Sequence, residues 1–120
     1  MAWHSKDPSQ IQDVSKFEQA ETQRTQVLPP VDGVNISVSF SHIFAGGYSA
    51  GYYSYKWAEV LDADAFEYFK EEGLYSEKVA KLLLENIMSK GGTEHPMTLY
   101  KKFRGREPDP DALLRRDGLI

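Results

Sequence analysis

The sequence predicts an all-α fold, a small helical array of about four to five helices that carries one Gly/Tyr-rich loop. Apolar residues recur every three or four positions through most of the chain, and Ser, Pro or Gly stand where those runs should begin or end. Only one stretch alternates apolar with polar residues, and a lone strand has nothing to pair with.

Residues 1–6 open directly on Met-Ala-Trp-His with no capping residue before them, as the interior of a helix does, so this start reads as cut. Asp7-Pro8-Ser9 breaks that segment. Ile11, Val14, Phe17 and Ala20 then recur at helical spacing and predict a first amphipathic helix. Residues 27–33 must be a connection and a hinge, because Pro29-Pro30 removes amide donors and Asp32-Gly33 suits a turn. Residues 34–40 place Val34, Ile36, Val38 and Phe40 on one side, which predicts an extended segment without a sheet.

Over residues 50–72 nothing interrupts a helix except Gly51 near its start. Tyr53, Trp57, Val60, Leu61, Ala65, Phe66 and Phe69 form an apolar stripe that predicts a central, buried helix stopped by Gly73. Ser76 caps the next helix, with Val79, Leu82, Leu83 and Ile87 inward and Gly91-Gly92 at its end. Pro96 opens a short helix bearing Met97, Leu99, Tyr100 and Phe103, and Asp109-Pro110 opens a last one with Leu113 and Leu114. The expected organisation is one unit over residues 1–120: helical over 1–26, a linker and the Gly/Tyr loop over 27–49, helical again over 50–120.

A net charge of -4 argues against a nucleic-acid partner, since phosphate backbones are met by clustered Lys and Arg. The absence of cysteine excludes disulfides and thiolate metal sites, and fits a reducing compartment. No apolar run approaches the roughly 20 residues that cross a bilayer, so no membrane partner is expected and the chain is read as cytoplasmic. Aromatic residues are concentrated mid-chain, and that concentration needs a chemical explanation.

Residues 42–55 place His42 and the tyrosines Tyr48, Tyr52, Tyr53 and Tyr55 around Gly46, Gly47 and Gly51. The glycines leave the backbone mobile and approachable, and each phenol offers a hydroxyl donor at neutral pH. A phenol can hydrogen-bond a developing oxyanion without changing its own charge. Tyr48, Tyr52 and Tyr55 fall at i, i+4 and i+7, so they share a face if the helix extends back through them. The bland alternatives stay open: an aromatic packing interface, and in His42 a hydrogen-bonded structural histidine.

Other polar groups point to structure first. Arg104-Gly105-Arg106-Glu107 reads as a pinned turn, or else as an anion site. Glu59, Asp62 and Asp64 read as solvated or salt-bridged carboxylates, the dispersed lysines as solubility charges, and Trp3 and Trp57 as core or interface anchors.

Two sequence blocks then add information that spacing does not. Residues 40–48, Phe-Ser-His-Ile-Phe-Ala-Gly-Gly-Tyr, are followed by Gly51-Tyr52-Tyr53-Ser54-Tyr55 and Trp57-Ala58-Glu59-Val60. Further on stand Gly91-Gly92, Pro96, Phe103-Arg104-Gly105-Arg106-Glu107-Pro108 and Asp111-Ala112-Leu113-Leu114. In order and spacing these blocks, with the Met-Ala-Trp-His start, resemble the C-terminal part of the catalytic domain of M3, thimet-oligopeptidase-like, zinc metallopeptidases, the bacterial oligopeptidase A branch in particular.

That resemblance implies a helical peptidase fold and hydrolysis of short peptides by metal-activated water. It implies that His42, Tyr48 and Tyr55 line the active site as substrate and oxyanion donors. Tyr52 would lie near bound peptide, and Gly46-Gly47 would let the tyrosines close on it. The family binds zinc through His-Glu-x-x-His and a downstream Glu, and this sequence contains neither the motif nor any histidine pair at that spacing. Zinc is therefore expected in the parent enzyme and not on this chain alone, which should be inactive without a missing N-terminal, zinc-binding part. An aromatic face left uncovered by that part predicts homo-oligomers or domain swapping. The rival reading is a stand-alone helical module that binds peptides or proteins without catalysis.

Overall fold

The computed structural model describes residues 1–120, all-helical and without a strand. The helices are α1 (Ala2–Ser5), α2 (Val14–Thr22), α3 (Ile36–Ser39), α4 (Ser54–Glu72), α5 (Glu77–Leu83), α6 (Pro96–Arg104) and α7 (Asp111–Arg116). Five of them, α2 and α4 to α7, are longer than one turn and correspond to the periodic apolar segments of the sequence. The residues divide into two compact units, Met1–Tyr53 and Ser54–Ile120.

In the first unit, Asp13 caps α2 by accepting the Lys16 N–H at 3.0 Å. Phe17 of α2 meets Trp3 of α1 edge-on, with ring centroids 4.8 Å apart, and Trp3 also meets Phe44 at 6.1 Å. These contacts are partly open to solvent, and the one buried residue of the unit is polar: Glu18, 7 % exposed.

Residues 34–40 are not extended as their alternation suggested. Val34, Ile36 and Val38 are exposed, so no sheet face rewards the period of two. The chain instead closes a helical turn, the Phe40 N–H donating to the Ile36 carbonyl at 2.8 Å, and the first two amides of α3 find an acceptor elsewhere in the unit.

In the second unit, α4 buries two strips of one side. Val60 and Ala63 pack with Ala112 and Leu113 of α7, and Leu61, Ala65 and Phe69 pack on the cluster of Val79, Tyr100 and Phe103. The expectation of a buried central helix is corrected accordingly. Trp57 and Phe66 are 55 % and 51 % exposed, because their positions fall outside those strips. The helix also starts later than expected, at Ser54. Ala50 has φ 53°, a left-handed conformation that ends helical continuity for a residue with a Cβ.

Gly73, at φ 106°, ends α4, and Ser76 caps α5 by accepting the Val79 N–H. The unit also contains a buried polar knot. Asp64 is fully buried and accepts from the Tyr100 hydroxyl at 2.6 Å and from Arg106 at 2.7 Å. Arg104 forms a two-pronged pair with Glu71, at 2.9 and 2.7 Å, and lies over the Tyr68 ring. Burial, with the Asp64 carboxylate beside it, pushes the Tyr100 hydroxyl well above the ordinary tyrosine range, so it stays a donor. The Arg104-Gly105-Arg106 run is thus a structural clasp that ties the end of α6 to α4, with Gly105 at φ 82° turning the chain between the two arginines. Asp64 is its partner, salt-bridged as one of the two sequence readings had it, and fully buried.

Candidate functional site

Five of the residues singled out by the sequence, His42, Gly46, Gly47, Tyr48 and Tyr52, belong to the first unit, and its geometry brings the three aromatic ones together. After α3 the chain makes a 3₁₀ turn, Ser41–Ile43, held by the Ile43 N–H to the Phe40 carbonyl at 3.1 Å and the Phe44 N–H to the Ser41 carbonyl at 3.0 Å. His42 sits on that turn. Gly46 and Gly47 both have φ 75°, and this double left-handed step returns the chain so that Tyr48 faces His42. Gly46 also makes room: a Cβ there would lie 3.3 Å from the edge of the Tyr48 ring.

The ring of Tyr48 lies 5.2 Å from that of His42, centroid to centroid, and so does the ring of Tyr52. Phe40 meets Tyr52 edge-on at 4.5 Å and completes the cluster. A further turn, the Gly51 N–H to the Tyr48 carbonyl at 2.8 Å, delivers Tyr52 from the left-handed Ala50. A residue with a Cβ held at positive φ is uncommon, and such strain persists where surrounding structure fixes it. Tyr55 is the second residue of α4 and belongs to the second unit, 42 % exposed. The face shared by Tyr48, Tyr52 and Tyr55 was conditional on a helix through all three, and α4 begins only at Ser54.

His42, Tyr48 and Tyr52 line a cavity of about 330 Å³ whose other walls include Trp3, Phe40 and Ile43. A phenol O–H or an imidazole N–H set among apolar walls is a donor that water competes for less, suited to a carbonyl oxygen. Glu18 lines the same cavity and was given no role by the sequence, where it is one of several polar residues on α2. The signal that could have found it is its spacing from Ser15: the two share one face of α2, three residues apart, and both bond to the segment entering the loop. A second, more apolar groove of about 520 Å³ lies in the second unit, between Leu61, Ala65, Leu83, Ile87 and Met97.

With that geometry in view, comparison with known proteins decides the family. The model of peptidase family M3 matches residues 1–119. The chain belongs to peptidase family M3. Oligopeptidase A of Haemophilus influenzae is 47 % identical over 117 residues, which is 98 % of this chain and 17 % of that protein. Oligopeptidase A of Escherichia coli is 59 % identical over 93 residues, 78 % of this chain and 14 % of the relative, and the probable cytosolic oligopeptidase A of Arabidopsis thaliana is 46 % identical over 94 % of this chain and 17 % of its own length. The chain thus spans under a fifth of the length of the M3 relatives it matches.

The zinc implied by the family can be tested against the residues present. His95 caps α6, its Nδ1 accepting the Met97 N–H at 3.3 Å, and the His4 ring packs on Phe44 at 5.6 Å. His42 is set among aromatic rings, and nowhere do three His, Asp or Glu side chains converge as metal ligands would. These residues do not fit a zinc site. No helix is long and apolar enough to cross a membrane.

Proposed function

We propose that this chain is the substrate-facing portion of an M3 oligopeptidase, with His42, Tyr48 and Tyr55 donating hydrogen bonds to the scissile carbonyl oxygen as negative charge develops on it. Tyr52 and the Gly46-Gly47 backbone border the bound peptide. The observation that carries this reading is the meeting of His42, Tyr48 and Tyr52, with both tyrosine rings 5.2 Å from the imidazole around one cavity. Fixed donors of this type stabilise an oxyanion more than a ground-state carbonyl, so their contribution falls on turnover.

Because the residues here do not fit zinc, the metal and the base that goes with it are assigned to polypeptide beyond these 120 residues, and the chain alone is inactive. The parent acts on short peptides, in keeping with the oligopeptidase names of its relatives, and in the cytoplasm, as the name of the cytosolic Arabidopsis thaliana relative has it for that protein.

The test is reconstitution: this chain is mixed with the complementary N-terminal portion of an M3 peptidase and zinc, and cleavage of a quenched short peptide is followed. Activity is expected only in the mixture. Tyr48→Phe should then lower kcat by roughly 10²-fold with little change in KM. A complex that forms, takes up zinc and still cleaves nothing would overturn the assignment and favour a non-catalytic peptide-binding module. An unchanged kcat in the Tyr48→Phe complex would remove Tyr48 from the oxyanion role.

A further inference from the structure

Glu18 is an unusual residue to find as the most buried side chain of its unit. It lies on α2, 7 % exposed, and no lysine or arginine pairs with it. A carboxylate removed from water without compensation is costly, so its acceptor capacity must be met from within the protein. It is met by backbone. One carboxylate oxygen accepts the Ile36 N–H and the other accepts the Ser37 N–H at 2.9 Å. These amides open α3 and have no partner inside their own helix.

The residue that would ordinarily cap them does not. Asn35, at the N-cap position of α3, makes no side-chain cap bond and instead donates its amide to the Ser15 hydroxyl at 3.1 Å. Ser15 and Glu18 therefore act together from one face of α2, gripping three consecutive residues, Asn35 to Ser37, some 18 to 20 positions further along the chain. Burial pushes the Glu18 carboxyl up, but the hydrogen bonds from Ser37 and Ile36 outweigh it and hold the group below the usual glutamate range. At neutral pH the grip is made by a charged acceptor, and such bonds are about twice as strong as neutral ones.

What this grip holds is the stem of the candidate site. From Ser37 the chain runs through one turn of helix to Phe40, whose carbonyl takes the Ile43 N–H and so sets the 3₁₀ turn that presents His42. The Phe40 ring lies 5.7 Å from the His42 ring and 4.5 Å from the Tyr52 ring. The unit has no buried apolar core to set this segment by packing. Between the exposed residues 27–34 and the left-handed glycines, the Glu18 and Ser15 bonds tie the segment to α2 across 18 to 20 positions of chain.

We propose that Glu18 is the positioning residue of this site: its buried carboxylate clamps the Ile36 and Ser37 amides and thereby fixes the turn that carries His42 against Tyr48 and Tyr52. Glu18 acts through the backbone and makes no contact with the reacting atoms. Its assignment as a positioning group rests on the proposed role of His42 and Tyr48, whereas the clamp itself can be measured without any activity.

The experiment uses the 120-residue chain and two variants, Glu18→Gln and Glu18→Ala, by NMR. Gln keeps one acceptor oxygen and the shape of the side chain; Ala keeps neither. In the Gln variant one of the two amides, Ile36 or Ser37, should exchange with solvent roughly tenfold faster or more while the other stays protected, and in the Ala variant both should. Ring-to-ring cross-peaks between His42 and Tyr48 and between His42 and Tyr52 should weaken with Gln and vanish with Ala. Signals of Phe103 and Tyr100 serve as the control for folding of the second unit. In the reconstituted enzyme Glu18→Gln should lower kcat several-fold with KM within about twofold, since misplaced donors matter most at the transition state.

Protection and cross-peaks unchanged in the Gln variant would overturn the proposal even if the Ala variant unfolds. So would cross-peaks that persist when both amides are released, because the clamp would then not set the rings. If the cross-peaks respond as expected but the reconstituted enzyme is inactive with wild-type Glu18, the clamp stands and the function proposed for His42 and Tyr48 fails.

Discussion

The two units of this chain solve the same problem by different means. Every fully buried apolar side chain, from Val60 to Leu113, lies in Ser54–Ile120. In Met1–Tyr53 the buried residue is a carboxylate, and cohesion comes from its bonds to two amides and from edge contacts among half-exposed rings. Apolar burial is cumulative and resists local opening, whereas a few polar ties and ring edges open at low cost. The Gly/Tyr loop is on the unit without an apolar core, where the closure on a peptide proposed above would require the least disruption of packing.

The sharpest way to break this comparison is to remove one large aromatic from each unit. Phe103 is 1 % exposed and packs with Val79 and Tyr100, so Phe103→Ala should destabilise the second unit by about 3–5 kcal/mol. Trp3 has two edge contacts and is only partly buried, and Trp3→Ala should cost the first unit about 1–2 kcal/mol. Amide exchange read separately over α4–α7 and over Ile36, Ser37 and Phe40 measures both. Equal effects would mean that the apolar core is not what separates the units.

What the sequence made legible follows the same division. Helices with a 3.6-residue apolar period and orthodox caps, such as the Ser76 cap and the Gly73 stop, were visible because local signals and packing agree. Residues 34–40 were not, since an alternating pattern predicts an extended chain only if a sheet face exists to bury it, and Ile36 and Val38 stay exposed. Asp64 is salt-bridged, one of the two fates its sequence allowed, but its burial and that of Glu18 were missed for one shared reason. A lone carboxylate on a helix is most often solvated, and the partners that bury these two, Tyr100 and Arg106 for one and the Ile36 and Ser37 amides for the other, lie 18 to 42 positions away. The Gly/Tyr loop stood out by composition, and its residues are assembled by glycine geometry that composition alone does not specify.

That geometry gives the next test, smaller than the aromatic deletions. Gly46 and Gly47 share φ 75°, so alanine at either should cost about 1 kcal/mol in backbone strain. They differ in their surroundings: a Cβ at Gly46 meets the Tyr48 ring at 3.3 Å, and one at Gly47 meets nothing within 4 Å. Gly46→Ala should therefore displace Tyr48, seen as shifted ring resonances and lower kcat in the reconstituted enzyme, while Gly47→Ala should destabilise the loop to a similar degree and leave the ring in place. Identical ring shifts in both variants would show that backbone strain alone sets the position of Tyr48.

The smallest effect, and the one that compares the units most directly, is in acid. Glu67 on α4 is held below the usual glutamate range by its hydrogen bonds to Arg115 of α7, both at 2.8 Å, against an opposing effect of burial. Glu18 is also held low, but by backbone amides. A carboxylate whose folded value lies below its unfolded one stabilises the fold fully above the unfolded value, and that contribution is lost as pH falls through the folded one. Acidification through and below the glutamate range should therefore weaken both units. The distinction lies in salt: Arg115 carries a formal charge that is 43 % exposed to solvent and its ions, whereas the Ile36 and Ser37 amides are fixed dipoles around a buried group. Raising salt from about 0.01 M to 1 M shortens the screening length from about 30 Å to 3 Å. The acid slope of α4 and α7 amide protection should become shallower over that range, and the slope at Ile36 and Ser37 should hold. A clamp at Glu18 that faded with salt as far as the Glu67 pair would mean that exposed charge, and not the fixed amides of α3, holds the first unit together.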